Sequence, residues 1–397
     1  ETEIVYETIN KATAFWMQEK KELTQSDYDE FYKSLTYDFE GPLTQIHNRV
    51  EGKLDYTSLL YIPKKPPFDL WNRESPRGVK LYIQRVFIMD DASNFLPLYL
   101  RFVRGIIDTN DLPLNVSREI LQQHQLVDTI KKAVTKRVLE SLISLKKDAF
   151  DGYKDFWKEY GLVLKEGTAE DFENKESIAS LFLFSSTNTT TNDIDQSLDN
   201  YIERMSEDQE KIYYCVADTY EAAANSPHIE GLKSKGTEVL LLTDRIDEWV
   251  MTGLMEYKGK EIVNVAKEDV SPEESSKKVS ESDQGLVEKI KKQLDAKVSE
   301  VVISSRLTTS ATCIVVPKHE PGAQLRKILE ASGQSMPSSK PIFEINTKHK
   351  LVKKLNDLKG KQFNSFVDFL YDYAIIAEGG SPHDPAKYLR QLDKYLS

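Results

Sequence analysis

The chain reads as an α/β (α+β) protein: two α/β units joined by helices, then a mixed α/β domain that ends in a helical bundle. Three observations predict this. Strand-like alternation at Leu54, Tyr56, Ser58, Leu60 and Ile62 precedes one long apolar stripe at helical spacing, Leu126, Ile130, Val134, Val138, Leu142 and Leu145. The apolar runs Ile212–Val216 and Val239–Leu242 flank a helical stretch, Tyr220–Lys235, which is the pattern of a right-handed crossover between parallel strands. Residues 350–397 carry only helical periodicity.

Taken in order, residues 9–47 are expected to form helical segments and turns rich in aromatics, among them Phe15, Trp16, Tyr28, Phe31 and Tyr32. Prolines 63, 66, 67 and 76 break the chain before a second strand, Val79, Leu81 and Ile83, which Val86, Phe87 and Ile88 extend. Residues 1–147 thus form the large α/β unit, with the long helix lying on its sheet. In 148–266 a helical connector begins at Phe150, Tyr153, Phe156 and Trp157, and Ser185–Asn192 is a polar link. The crossover follows, then a helix from Asp244 to about Tyr257 and a strand at Ile262–Val265. Segment 267–283 holds only Val270 and Val279 as sizeable apolar residues. It buries too little to offset its ordering entropy, so it reads as a charged linker. In 284–397 the pattern gives a helix at 285–297, a hairpin-like pair at 301–307 and 311–316, and a helix over Gln324–Ala331. Three final helices follow, the middle one ended by Gly379-Gly380 and the last opened by Asp384 and Pro385.

Composition narrows the function classes. The 397 residues carry a net charge of −11, which disfavours nonspecific nucleic-acid binding because that rests on phosphate neutralisation. No apolar run approaches the ~20 residues needed to span a bilayer. Two cysteines, Cys215 and Cys313, each within an expected strand, make no disulfide framework and suit a reducing cytoplasm. The six histidines never pair at metal-ligand spacing, so no metal site is expected. Gly231-Leu-Lys-Ser-Lys-Gly236 has the glycine spacing of a phosphate loop, but Thr237 stands where lysine is required, and the helix-then-strand order is reversed.

The most informative stretch is Asp111-Leu-Pro-Leu-Asn-Val-Ser-Arg-Glu-Ile-Leu-Gln-Gln123. A proline-punctuated loop presents Asn115, Ser117, Arg118 and Gln122 at a helix entrance, where free N–H groups and the helix dipole favour an anion. A guanidinium there can pair bidentately with phosphate oxygens.

This stretch resembles the catalytic loop of the middle domain in the heat-shock protein 90 family of molecular chaperones, whose consensus reads L-N-x-S-R-E-x-L-Q. Further matches fall in the same order: Glu30-Phe-Tyr-Lys33, Tyr61-Ile-Pro-Lys-Lys-Pro-Pro-Phe-Asp-Leu70, Lys80-Leu-Tyr-Ile-Gln-Arg-Val-Phe-Ile-Met-Asp90 and Leu242-Thr-Asp-Arg-Ile-Asp-Glu248. The glutamine in Tyr-Ile-Gln-Arg is similar to the bacterial cytosolic form. The resemblance implies middle and C-terminal domains without the N-terminal nucleotide domain. It implies ATP and Mg as the complete protein's cofactors, with none for this stretch, which would not hydrolyse ATP alone.

The same resemblance implies site roles. Arg118, supported by Asn115 and Gln122, would reach the γ-phosphate of ATP held by the nucleotide domain, and Arg85 and Phe87 would dock that domain. Glu248, Trp249, Met251 and Met255 match a client-contact region, with Met251 and Met255 expected as an i,i+4 pair facing away from the core. Leu325, Ile328 and Leu329 match an amphipathic protrusion toward clients. A second apolar line on the middle C-terminal helix, Phe369, Tyr373 and Ile376, with Leu370, Leu389 and Leu392, exceeds what three short helices can bury, and suggests a two-fold bundle. The implied partners are a second copy of the chain, partly folded clients, the nucleotide domain and cochaperones, with no nucleic acid and no membrane. The alternatives are a passive dimeric scaffold that does not hold clients, and a phosphoryl-transfer enzyme in its own right. The second lacks a phosphate cradle, a metal carboxylate pair and a general base.

Overall fold

The computed structural model describes residues 13–72, 78–115, 121, 125–267, 281–318, 320–322, 325–326, 328–329, 332–334 and 340–396. The chain divides into two compact units, Glu1–Phe182 and Leu183–Ser397.

The first unit is built on a five-stranded sheet. Its strands are β1 (Thr44–Val50), β2 (Tyr56–Ile62), β3 (Val79–Ile83), β4 (Val86–Met89) and β5 (Arg104–Thr109), in the order β1-β2-β5-β3-β4. Only β3 and β5 run parallel. β2 is buried along its whole length, as its Tyr-Thr-Ser-Leu-Leu-Tyr-Ile run suggests for a strand covered on both faces. Trp16, Tyr28 and Tyr32 cover one face, meeting Leu59, Tyr61 and Ile106. Helix Gln25–Thr36 carries Tyr28 and Tyr32, and a Thr24/Asp27 capping box opens it. Helix Phe150–Lys165 joins the core through Phe156 and Tyr160, whose rings lie 5.5 and 4.7 Å from that of Phe102. Helix Gln125–Asp148 buries Ile130, Val134, Val138 and Leu142, as its stripe predicts, but mainly against helix Phe150–Lys165 and the turn Ser93–Phe95 rather than lying on the sheet as expected.

Two further expectations change here, the first being that residues 44–47, expected among helices and turns, open strand β1. Val86–Met89 does not extend β3; it turns back as a hairpin partner. Gln84 and Arg85 both take positive φ, 50° and 67°, and make a two-residue turn whose twist suits a hairpin. Neither residue is a usual turn former, so the signal was absent from composition.

The second unit holds two sheets. β6 (Ser185–Ser186), β7 (Lys211–Val216), β8 (Leu240–Leu242), β9 (Glu256–Tyr257) and β10 (Lys260–Asn264) lie in the order β6-β8-β7-β10-β9, with β7 parallel to both β8 and β10. The crossover is as expected, but its helix is broken. Pro227 ends Tyr220–Ala224, and Glu230–Ser234 restarts after the turn Pro227–Ile229. β11 (Glu300–Ile303) and β12 (Thr312–Val315) are not a hairpin. Both pair with a strand the periodicity did not reveal, β13 (Ile342–Ile345), parallel and antiparallel respectively. Helices Glu281–Leu294 and Gly360–Ala377 cover this sheet, with Leu286, Ile290, Leu294, Phe343, Ile345, Phe366 and Leu370 in one core. Among the described residues, no helix is long and apolar enough to cross a membrane.

Candidate functional site

The rim of the first sheet is set by strand register. β3 and β5 run parallel and end together, with Ile83 opposite Thr109, so the turn Gln84-Arg85 sits beside Thr109-Asn110. Left-handed conformations are unfavourable for residues with a Cβ, and local hydrogen bonds offset that cost. Gln84 N–H donates to the Thr109 carbonyl (3.1 Å), Arg85 N–H to Asp108 Oδ1 (3.2 Å), and Arg85 Nη1 to Asn110 Oδ1 (3.2 Å). Asp108 is buried and also accepts the Trp16 indole N–H at 2.8 Å. Its charge adds to burial in pushing the Tyr82 phenol up. Phe87 is 52% exposed and meets the Tyr82 ring at 5.6 Å, edge to face.

Beyond β5 the chain is pinned before it reaches the loop. Asn110 Nδ2 donates to Asp55 Oδ2 (2.7 Å), the Thr109 hydroxyl to the Asp55 carbonyl (3.0 Å), and Asp55 N–H to Asp111 Oδ2 (2.7 Å). Leu112 is buried and Asn115 lies exposed in the following turn. Arg85, Phe87 and the root of the Asn115 loop therefore share one rim. Arg118 and Gln122 lie outside the described residues. Among the described residues the rim is a polar edge that carries the exposed Phe87 ring and the Arg85 guanidinium.

Farther along the chain, the expected exposed methionine pair on one helix face is not found. The helix spans Asp247–Gly253, ending four residues early, because the turn Lys258-Gly259 (φ 47° and 76°) must bring β9 back into β10. Met251 is buried at 3% exposure while Met255 is 67% exposed and outside the helix, so the two do not form an exposed pair. Trp249 is on the outer side of the helix at 36% exposure. Glu248 is buried rather than presented. One carboxylate oxygen accepts the Leu325 N–H (2.8 Å) and the other the Gly322 N–H. Leu325, Ile328 and Leu329 are half-buried.

Sequence reasoning missed Gly322, Glu230 and Arg306, which have no motif. Glu230 accepts hydrogen bonds from Thr308 N–H (2.7 Å), Thr309 N–H (2.8 Å) and hydroxyl (2.7 Å), and Ser310 N–H (3.1 Å) and hydroxyl (2.5 Å). Burial alone would raise its pKa, but these donors, led by the Ser310 hydroxyl, hold it at about 2. Arg306 donates to the Val265 carbonyl (2.6 Å) and pairs with Glu344 (3.2 Å).

On the C-terminal helices, Phe369 and Leu370 are buried within the chain itself, which corrects their expected exposure to a partner. Helix Pro385–Leu396 folds back and covers Phe369, with Tyr388 stacked on it at 5.3 Å and Tyr395 edge-on at 5.2 Å. Tyr373 and Leu392 are half-buried against the same core. Ile376 and Leu389 remain 40% and 58% exposed.

The family description "Hsp90 protein" matches residues 1–397. "Chaperone protein HtpG" of Pseudoalteromonas translucida (strain TAC 125) is 50% identical over 400 residues, covering 98% of this chain and 63% of the relative. The chain thus spans less than two thirds of the length of the curated relative it matches. By a match along its whole length, this chain belongs to the Hsp90 protein family.

Proposed function

We propose that this chain is the middle and C-terminal part of a cytoplasmic, ATP-dependent chaperone that works as a homodimer and holds partly folded clients. The family match along all 397 residues carries this reading. The rim supports a division of labour. ATP and its Mg belong to a nucleotide domain outside this chain. That domain docks on Arg85 and Phe87, and the loop rooted at Asn110-Asp111 delivers Arg118 to the γ-phosphate, with Asn115 and Gln122 beside it. A fixed guanidinium stabilises the charge that develops on the transferring phosphoryl oxygens. This chain alone supplies the assisting arginine and does not hydrolyse ATP.

Clients are held on the second unit. Trp249 and Met255 are the exposed members of one candidate patch, and Leu325, Ile328 and Leu329 form the other. Met251 is not a contact in this reading. The second copy is held through Ile376 and Leu389, with Tyr373 and Leu392 at the edge of the contact. The test is titration of fluorescein-labelled, reduced and carboxymethylated α-lactalbumin, a permanently unfolded polypeptide, with the chain. Saturable binding that Trp249→Ala/Met255→Ala weakens supports the reading. A chain that dimerises yet never binds the probe would be the passive scaffold instead.

A further inference from the structure

The antiparallel ladder between β2 and β5 ends with Tyr56 opposite Thr109, yet the two segments stay joined one step farther on. Asn110 N–H and the Thr109 hydroxyl both donate to the Asp55 carbonyl, each at 3.0 Å, and Asp55 N–H donates to Asp111 Oδ2 at 2.7 Å. The Asn110 side chain is committed at both ends. Its Nδ2 donates to Asp55 Oδ2 at 2.7 Å, and its Oδ1 accepts from Arg85 Nη1 at 3.2 Å. Arg85 N–H is itself held by Asp108, so the guanidinium reaches Asn110 from a fixed turn. Leu112 is buried just beyond, and Arg118 follows on the same loop in sequence.

We propose that Asn110 is a positioning residue for ATP hydrolysis in the complete protein: its amide ties the docking residue Arg85 to Asp55 and so fixes the root from which the Arg118 loop departs. The proposal rests on the arginine reading above, and Asn110 touches no nucleotide in it. The bond to Asp55 is charge-assisted and stronger than a neutral one. The bond from Arg85 is open to water, which weakens it. A domain docked over Arg85 excludes that water, so docking tightens the amide bridge and the loop root with it. Only an amide suits both ends, because it offers a donor to Asp55 and an acceptor to Arg85.

Variants of the full-length protein separate the roles: Asn110→Ala, Asn110→Asp, the double variant Asp55→Asn/Asn110→Asp, and Arg118→Ala with and without Asn110→Asp. Steady-state ATP turnover is read beside nucleotide Kd. Hydrogen exchange at the Asp55 and Asn110 amides reads the clamp without nucleotide. Asn110→Asp keeps an acceptor for Arg85 but sets a carboxylate against that of Asp55. It is expected to speed exchange at both amides and to lower turnover, each on the order of tenfold at unchanged Kd, as for loss of one charge-assisted bond. Asn110→Ala does the same. The double variant turns the bond around, with the new amide at position 55 donating to the new carboxylate at position 110, and restores both readouts to within about twofold. With Arg118→Ala in place, Asn110→Asp slows turnover no further, because the clamp acts through that arginine.

Slow turnover in Asn110→Asp with wild-type exchange would overturn the proposal, as would wild-type turnover in that variant despite a freed clamp. So would a double variant that regains slow exchange but not turnover, because Asn110 would then act other than through Asp55. A comparable further loss on top of Arg118→Ala has the same force. Wild-type turnover in Arg118→Ala alone would instead refute the arginine reading. The exchange contrast, measured without nucleotide, distinguishes that case from a failed clamp.

Discussion

Glu230 offers the sharpest energetic prediction. Its carboxylate gathers the N–H groups of Thr308, Thr309 and Ser310 and all three of their hydroxyls, tying helix Glu230–Ser234 to the turn between β11 and β12. A carboxyl held at about 2 against an ordinary 4.5 corresponds to roughly 3 kcal/mol, at about 1.36 kcal/mol per pH unit. Glu230 is partly open to water, which screens the bonds, so about 1.5–2 kcal/mol is the expected contribution. Because the folded pKa is depressed, this stability is fully present above pH 4.5 and is lost as pH falls through about 2. Glu230→Gln keeps the shape and removes the charge. The assay is the urea midpoint of the second unit, followed by hydrogen exchange in residues 300–315, for wild type and variant from pH 7 to pH 2.5. The gap between the two is expected to be about 1.5–2 kcal/mol at pH 7 and to close progressively below pH 4.5. A gap under about 0.5 kcal/mol at pH 7, or one that does not change down to pH 2.5, would refute the reasoning.

Three other outcomes follow from the same geometry. Arg101 and Glu166 form a buried bidentate pair at 2.9 Å, so Glu166→Ala leaves an unpaired guanidinium and should cost about 3–5 kcal/mol in first-unit stability, read by urea unfolding. Burial pushes the Cys215 thiol up to about 12, with the Ser226 hydroxyl only partly opposing, and raises Cys313 as well. Both thiols should therefore resist a disulfide reagent at pH 8 in the native chain and react at once in denaturant. Leu389→Glu and Ile376→Glu alter exposed positions and should leave the helical content unchanged while converting the proposed dimer to monomer in sedimentation.

What sequence alone exposed followed periodicity. β2, the stripe of helix Gln125–Asp148 and the β7–β8 crossover were legible because each repeats one apolar spacing over several residues. β13 was not, because it is four residues long and buries Glu344 among them, a polar residue satisfied by Arg306, Ser304 and Cys313 from elsewhere in the chain. The β3–β4 turn was hidden because Gln84 and Arg85 owe their left-handed conformations to Asp108, Thr109 and Asn110 on another strand. Helical spacing placed Met251 and Met255 on one face, but the tight β9–β10 turn ends the helix between them. Phe369 looked surplus because nothing in its own helix covers it; the last helix does. The site followed the same division. The loop at Asn115 was readable as a motif, whereas the burial of Glu248 depends on a contact with Gly322, 74 positions away.

Arg118 is proposed to supply the catalytic assistance of an ATP-driven chaperone. The most direct measurement is steady-state ATP hydrolysis by the full-length protein carrying Arg118→Ala, beside its nucleotide Kd. An unchanged Kd with turnover reduced by at least ~10-fold, as expected for loss of a guanidinium that acts on the transition state, is the predicted result. Near-wild-type turnover at an unchanged Kd would contradict the assignment.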